Sequence, residues 1–218
     1  MKLATDAPLT YRLMQRTLWA LARILLRIEV TGVENVPASG PLVIAPNHIH
    51  TFDVPIIGMV VPRRTAIFAA DKWRGKLGGW VLERVTHVIY VARGEADRAA
   101  LSQALIVLGQ GHALAVAPEG TRSRTGGLQP GKHGVAYLAS RTSAAILPVA
   151  VWGQETALRD WPRLRRPAVH VRIAPPIYPP PGAERARTAE LHILTDELML
   201  TLAAMMPPQY RGVYADRV

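Results

Sequence analysis

The chain is predicted to fold as an α/β domain, with helices covering a mostly parallel or mixed central sheet. Three observations lead there. Short apolar runs recur at 41–45, 65–70, 86–91, 113–117, 144–152 and 168–173, with the length and composition of strands. Between them lie stretches of helical spacing, such as Ala100, Leu101, Ala104, Leu105 and Leu108. Two of the runs, 41–45 and 113–117, open directly into polar turns. Alternating strands and helices cover a sheet on both faces, and open sheets of this kind bind ligands at their strand ends.

The elements follow in order. Leu9 to Ile28 reads as an amphipathic helix. Arg12, Arg16, Arg23 and Arg27 fall within about 60° of one another at roughly 100° per residue. Leu13, Met14, Leu18, Leu21, Ile24, Leu25 and Ile28 occupy the broad opposite side, and Trp19 lies near the border, where an indole suits a lipid headgroup region. The same helix is equally readable as docked on the domain with its arginines in water. Thr31 to Gly40 is a polar connection, and Pro41 to Ala45 a buried strand. Val54 to Val61 is helical and stopped by Pro62, and Thr65 to Ala70 is a strand. Asp71 to Glu83, with Trp73 and Trp80 among Lys72, Arg74 and Lys76, reads as a loop and short helix on a membrane-facing rim. Thr86 to Val91 is strand-like, and Glu95 to Leu108 is a helix ended by Gly109 and Gly111. A short helix follows Lys132, whose ordinary role is solvation with a phosphate contact as the alternative. Ala144 to Trp152 is a buried strand and Ala168 to Ile173 an alternating one. Prolines separate the latter from a last helix striped by Leu191, Leu194, Leu198, Leu202 and Met205.

Composition sets outer limits. A chain of 218 residues suits one compact domain, and the absence of Cys excludes disulfides, a thiolate nucleophile and thiolate metal sites. No secretory signal is recognisable, and no apolar run reaches the length of a membrane span. The formal net charge of +10 is met by an anionic lipid surface or a phosphate-rich cofactor, with simple solubility or an arginine-rich genomic composition as the plain alternative. Nucleic acid is not expected, since aromatics are 6% of the chain and no nucleic-acid-binding motif is present.

The first polar turn carries Asn47-His48-Ile49-His50-Thr51-Phe52-Asp53. On a helix, His48 and Asp53 would point apart, but here a strand precedes them and Pro55 sits where a first helical turn accepts it. Thr51 or Asp53 is suitably located to cap that helix. A strand-to-helix turn folds His48 back onto Asp53. Imidazole titrates near about 6.5 in model peptides, so a histidine can take the proton of an attacking hydroxyl while a carboxylate fixes its tautomer. A lone His–Asp pair is more often a structural hydrogen bond. The second turn changes that weighting: Pro118-Glu119-Gly120-Thr121-Arg122-Ser123-Arg124 combines a permissive glycine, a hydroxyl and guanidinium forks suited to phosphate.

Asn47-His48, four intervening residues and Asp53 resemble the NHxxxxD motif of the glycerolipid acyltransferases, and Pro118 to Arg122 resembles their PEGTR motif. The chain is similar, from about Gly32 to Gly153, to the 1-acylglycerol-3-phosphate acyltransferase (lysophosphatidic acid acyltransferase) family. Arg93 falls where that family has an arginine for the glycerol phosphate, although His87, Tyr90 and Ala117 stand where it usually has Gly, Phe and Phe. Ile146-Leu147-Pro148-Val149 resembles its fourth motif, an apolar strand near the acyl site. The resemblance implies the same α/β architecture, with residues 1–30 as a membrane-associated amphipathic helix and 31–218 as the acyltransferase domain. His48 and Asp53 are the expected catalytic residues. Arg93, Glu119, Gly120, Thr121 and Arg122 are the expected substrate-binding ones, with Glu119 orienting an arginine or a hydroxyl rather than touching phosphate. Neither metal nor cofactor is expected, because the acyl donor, acyl-CoA or acyl carrier protein, is already activated as a thioester. The implied acceptor is lysophosphatidic acid, at the cytoplasmic face of the cell membrane. Glycerol 3-phosphate or another lyso-lipid is the alternative acceptor, and a non-enzymatic peripheral membrane protein is the alternative of another class.

Overall fold

The structure is a computed structural model that describes residues 3–4, 7–91 and 98–218. Its centre is a seven-stranded sheet in the order β1-β7-β6-β2-β5-β3-β4. The strands are β1 (Arg27–Thr31), β2 (Leu42–Pro46), β3 (Thr65–Ala70), β4 (Val88–Val91), β5 (Ala113–Ala115), β6 (Ala145–Trp152) and β7 (Ala168–Ile173). Strands β2 to β6 run parallel to one another. β7 is antiparallel to β6, and β1 lies parallel to β7 at the edge. The mostly parallel, mixed sheet of the sequence reading is what the chain forms.

The helices are α1 (Leu9–Leu25), α2 (Asp53–Val60), α3 (Leu77–Val85), α4 (Arg98–Gly109), α5 (Gly134–Thr142), α6 (Ala157–Asp160) and α7 (Thr188–Met205). Side chains alternate across each strand, so two cores result. Val43, Leu114, Ile146 and Ala150 face one side, under Leu108 of α4, Leu138 of α5 and Leu198 and Leu202 of α7. Leu42, Ile44, Leu147, Val149 and Val151 face the other, under Ile56, Met59 and Val60 of α2 and Ala22 of α1. All eight residues of β6 are buried, which explains why it reads as an unbroken apolar run.

One expectation is corrected at the N-terminus. The helix ends at Leu25 rather than Ile28, and Arg27 to Thr31 form a strand paired with β7. β1 escapes helical periodicity only over five residues, with Arg27, Glu29 and Thr31 outward and Ile28 and Val30 half-buried. Trp19, at the border of the two faces, is half-buried, and its indole N–H donates to the Met59 carbonyl at 2.9 Å. Around it, Gln15 is wholly buried, donating to the Gly58 and Val61 carbonyls at 3.0 and 2.9 Å and accepting the Ala4 N–H at 3.0 Å. Tyr11 donates to the Arg63 carbonyl at 3.0 Å. α1 therefore docks by a polar stripe on the end of α2, and its apolar Leu13, Leu21 and Ile24 stay exposed.

Candidate active site

β2 delivers the chain to Asn47, whose buried side chain extends the sheet by one more rung. Its Nδ2 donates to the Val151 carbonyl at 2.9 Å, and its Oδ1 accepts the Val151 N–H at 2.7 Å. A side chain that satisfies both backbone groups of a neighbouring strand frees its own backbone to turn. The turn ends at Asp53, the first residue of α2, with Pro55 in the first helical turn and neither Thr51 nor Asp53 acting as the side-chain cap.

Asp53 collects donors on both carboxylate oxygens. Oδ2 lies 2.7 Å from His48 Nδ1 and accepts the N–H groups of Ile49 and His50 at 2.9 and 3.0 Å. A carboxylate at that distance assigns the proton to Nδ1 and leaves Nε2 as the free acceptor. The Asp53 side chain is 3% exposed and that of His48 29%, so the carboxylate is dry while the imidazole is reachable. Oδ1 accepts from Gln154 Nε2 at 2.6 Å, within a fully buried side chain just past β6. Nothing in the sequence pointed to Gln154, because its partner is 101 residues away. Replacing it by leucine frees Asp53 to rotate; we expect kcat to fall by about tenfold with KM nearly unchanged, measured in steady-state assays.

The second loop is stitched to the first through the backbone of His48. Glu119 Oε1 accepts the His48 N–H at 3.0 Å, and the His48 carbonyl accepts the Ser123 N–H at 2.7 Å. Glu119 Oε2 accepts both the backbone N–H and the side-chain amide of Gln129, at 3.0 and 3.2 Å. The expected bond from Glu119 to an arginine or hydroxyl is therefore replaced by amide donors. Burial pushes the Glu119 carboxyl above its ordinary value, and the bonds from His48 and Gln129 oppose that shift.

Arg122 Nη1 donates to Thr51 Oγ1 at 3.0 Å, which sets an exposed guanidinium beside the His48 turn. Gly120 adopts φ +69°, and a β-carbon there would meet the Lys132 side chain at 2.9 Å. Lys132 thus lies along the loop, the placement that the alternative reading of this residue requires. Thr121 is exposed, with its carbonyl accepting from Gln129. His48, Asp53, Glu119, Gly120, Thr121 and Arg122 share one edge of the sheet; Arg93 lies outside the described residues. A partly exposed base, a buried carboxylate behind it and a guanidinium across the turn suit proton removal from a hydroxyl on an anionic molecule.

Residues 27–152, more than half of the chain, match the family model described as Acyltransferase. The chain belongs to the acyltransferase family. It is 29% identical over 160 residues to 1-acyl-sn-glycerol-3-phosphate acyltransferase alpha of Homo sapiens, covering 70% of this chain and 55% of that protein. It thus spans little more than half the length of such relatives. A lyso-ornithine lipid O-acyltransferase of Pseudomonas aeruginosa is 29% identical over 206 residues, 85% of this chain and 77% of that protein. The crystal structure of the 1-acyl-sn-glycerophosphate acyltransferase of Thermotoga maritima superposes with a TM-score of 0.68 at 24% identity, over 86% of this chain and 76% of that one. The α/β architecture of this acyltransferase-family chain is the one seen there.

Proposed function

We propose that this chain moves a fatty acyl group from acyl-CoA or acyl carrier protein to the free sn-2 hydroxyl of lysophosphatidic acid, giving phosphatidic acid. The observation that carries the reading is the double hold on His48. Asp53 grips its ring, and the Glu119–Ser123 loop grips its backbone N–H and carbonyl. In the reaction, His48 Nε2 takes the hydroxyl proton as that oxygen attacks the thioester carbonyl. A C–O bond forms, the tetrahedral intermediate collapses with loss of the C–S bond, and the imidazolium returns its proton to the thiolate. Asp53 stabilises the imidazolium in between. Arg122, the loop amides near Gly120 and Thr121, and Lys132 supply the donors for the acceptor's phosphate, with Arg93 as the further cation that the family resemblance implies.

A second reading is acylation of a phosphate-free lyso-lipid, which the broader alignment with the lyso-ornithine lipid enzyme favours. A thioester-release assay against lysophosphatidic acid, glycerol 3-phosphate and phosphate-free lyso-lipids separates the two. Arg122→Ala is expected to raise KM for phosphate-bearing acceptors by roughly tenfold, the scale of one charge-assisted contact. Equal damage toward phosphate-free acceptors would remove its recognition role. A peripheral position on the cytoplasmic face of the membrane fits this chemistry. It is supported by the exposed Leu13, Leu21 and Ile24 of α1 and by Trp73 and Leu77 near the start of α3. Among the described residues no helix is long and apolar enough to cross a membrane.

A further inference from the structure

The connection between β6 and β7 has no assigned role, and its surface is unusual. Leu164 is 96% exposed at its tip and Leu158 63%. Leu164 also has φ +54°, a left-handed conformation that disfavours a branched apolar residue and suits Gly or Asn. A side chain that is strained, contributes nothing to the core and still presents a full isobutyl group to the surroundings points to a use outside the fold. Arg163 and Arg165 flank it, both exposed. Beneath the tip runs a groove of about 610 Å³ lined by Arg27, Arg159, Arg165 and Arg166, with Asp160 as the one carboxylate in its wall.

Topology puts this surface beside the active site. Pro46 of β2 pairs with Val149 of β6, so the end of β2 that opens into the His48 turn lies at the same edge as the end of β6. β7 starts at that edge too, because Trp152 pairs with His170, and Arg27 at the start of β1 pairs with Ala168. The connection is also fastened to both neighbours. The Trp161 indole N–H donates to the Leu25 carbonyl at 3.0 Å, and the Arg166 guanidinium donates to the Arg23 carbonyl at 2.6 Å and to that of Leu26, closing the C-terminal end of α1. On its other side, the Trp161 ring stands 5.3 Å from Phe52, and Phe52 4.8 Å from His50, inside the His48 turn. The exposed Ile24 of α1 directly precedes Leu25, whose carbonyl the Trp161 indole holds.

We propose that residues 158–166 form a second membrane-contact element, in which Leu164 enters an anionic bilayer and the arginines around it bind lipid phosphates. Apolar tips ringed by guanidinium groups match the chemistry of that interface, where arginine stems lie along the acyl boundary while their heads reach the phosphates. With α1 and α3 this gives a bilayer contact on either side of the His48 turn. The benefit to acyl transfer rests on the function proposed above, but the contact itself does not.

The 218-residue chain has no cysteine, so Leu164→Cys in this chain offers a unique thiol for an environment-sensitive fluorophore. Gln110→Cys, exposed just ahead of β5 at the opposite edge, is the control. Vesicles of phosphatidylcholine alone and of phosphatidylcholine with phosphatidylglycerol are added without any acyl donor, so the reading is independent of catalysis. The expected result is a blue shift and a gain in emission at position 164 with the anionic vesicles, and none at position 110. Leu164→Asp, and separately Arg163→Glu with Arg165→Glu, are expected to weaken sedimentation with anionic vesicles by on the order of tenfold. These residues make few contacts within the fold, and thioester release with a water-soluble acceptor should be unchanged. A label at 164 that remains in water while the protein sediments overturns the proposal, as does failure of the protein to bind vesicles. An equal response to neutral vesicles overturns the phosphate-binding part. Shielding of the label only by acyl carrier protein assigns the loop to an acidic protein donor and likewise overturns it.

Discussion

Replacing His48 by alanine is expected to lower turnover by on the order of 10²-fold or more, with circular dichroism and melting temperature close to those of the parent. The imidazole is 29% exposed, so its loss leaves a hole at the surface rather than in a core, and stability should change little. Its ring is held by Asp53, at 2.7 Å. Asp53→Asn tests the same pair from the other side. An amide cannot accept from His48 Nδ1–H, Ile49 N–H, His50 N–H and Gln154 Nε2–H at once, so either the amide group faces donors or the imidazole turns to its other tautomer. Turnover should fall by a similar factor. Near-parental rates in a folded His48→Ala protein would end the general-base mechanism, whatever the family.

The second large effect is expected at Glu119, and it is measured as stability as well as rate. Its residue is 1% exposed, and its carboxylate accepts three hydrogen bonds that tie His48 to Gln129. Alanine there leaves two backbone N–H groups without their acceptor, each costing roughly 1–3 kcal/mol when buried, from which the released carboxylate desolvation subtracts a part. A net loss of about 2 kcal/mol, read by chemical denaturation, is the expected outcome, together with a fall in kcat as the two loops separate. Glu119 also gives a pH signature. Its folded-state pKa is raised, chiefly by burial, so the folded protein holds this proton more tightly than the unfolded chain does. The associated stability is complete below the unfolded glutamate value of about 4.3 and is lost as pH rises through the higher folded value. The parent should therefore show a downward slope in unfolding free energy over the weakly acid range that Glu119→Gln lacks. Parallel pH profiles for the two proteins would show that Glu119 is not the titrating group.

Much of the fold and of the His48 site is legible in the sequence, and particular residues explain what is not. β2, β5 and β6 are buried on both faces, so their sequences are unbroken apolar runs. The five-residue spacing of His48 and Asp53 carried its contact because both members belong to one turn. β1 stayed hidden because an edge strand needs only Ile28 and Val30 to face inward, and Ile28 also continues the stripe of the preceding helix. The reversed direction of β7 was not readable, since the connection from Gly153 to Pro167 is three short helical segments without a periodic signature. Gln154, Gln129 and the bridge from Asn47 to Val151 depend on partners brought together by the sheet, and a polar residue in a sequence carries no mark of which distant carbonyl it will meet. The apolar side of α1 was recognised, but not its division. Tyr11, Gln15 and Ala22 turn to the protein, while Leu13 and Ile24 turn away.

That division has a mechanical consequence. The carbonyls that receive Gln15, Trp19 and Tyr11 belong to Gly58, Met59, Val61 and Arg63, at the far end of the short rod whose first residue is Asp53. At about 1.5 Å per residue that rod is only some 12 Å long, too short to bend appreciably. Any tilt imposed on the outer helix by its surroundings is passed directly to the carboxylate that aims the imidazole. The seat of α1 on the protein is thus a lever on the direction in which the His48 ring points.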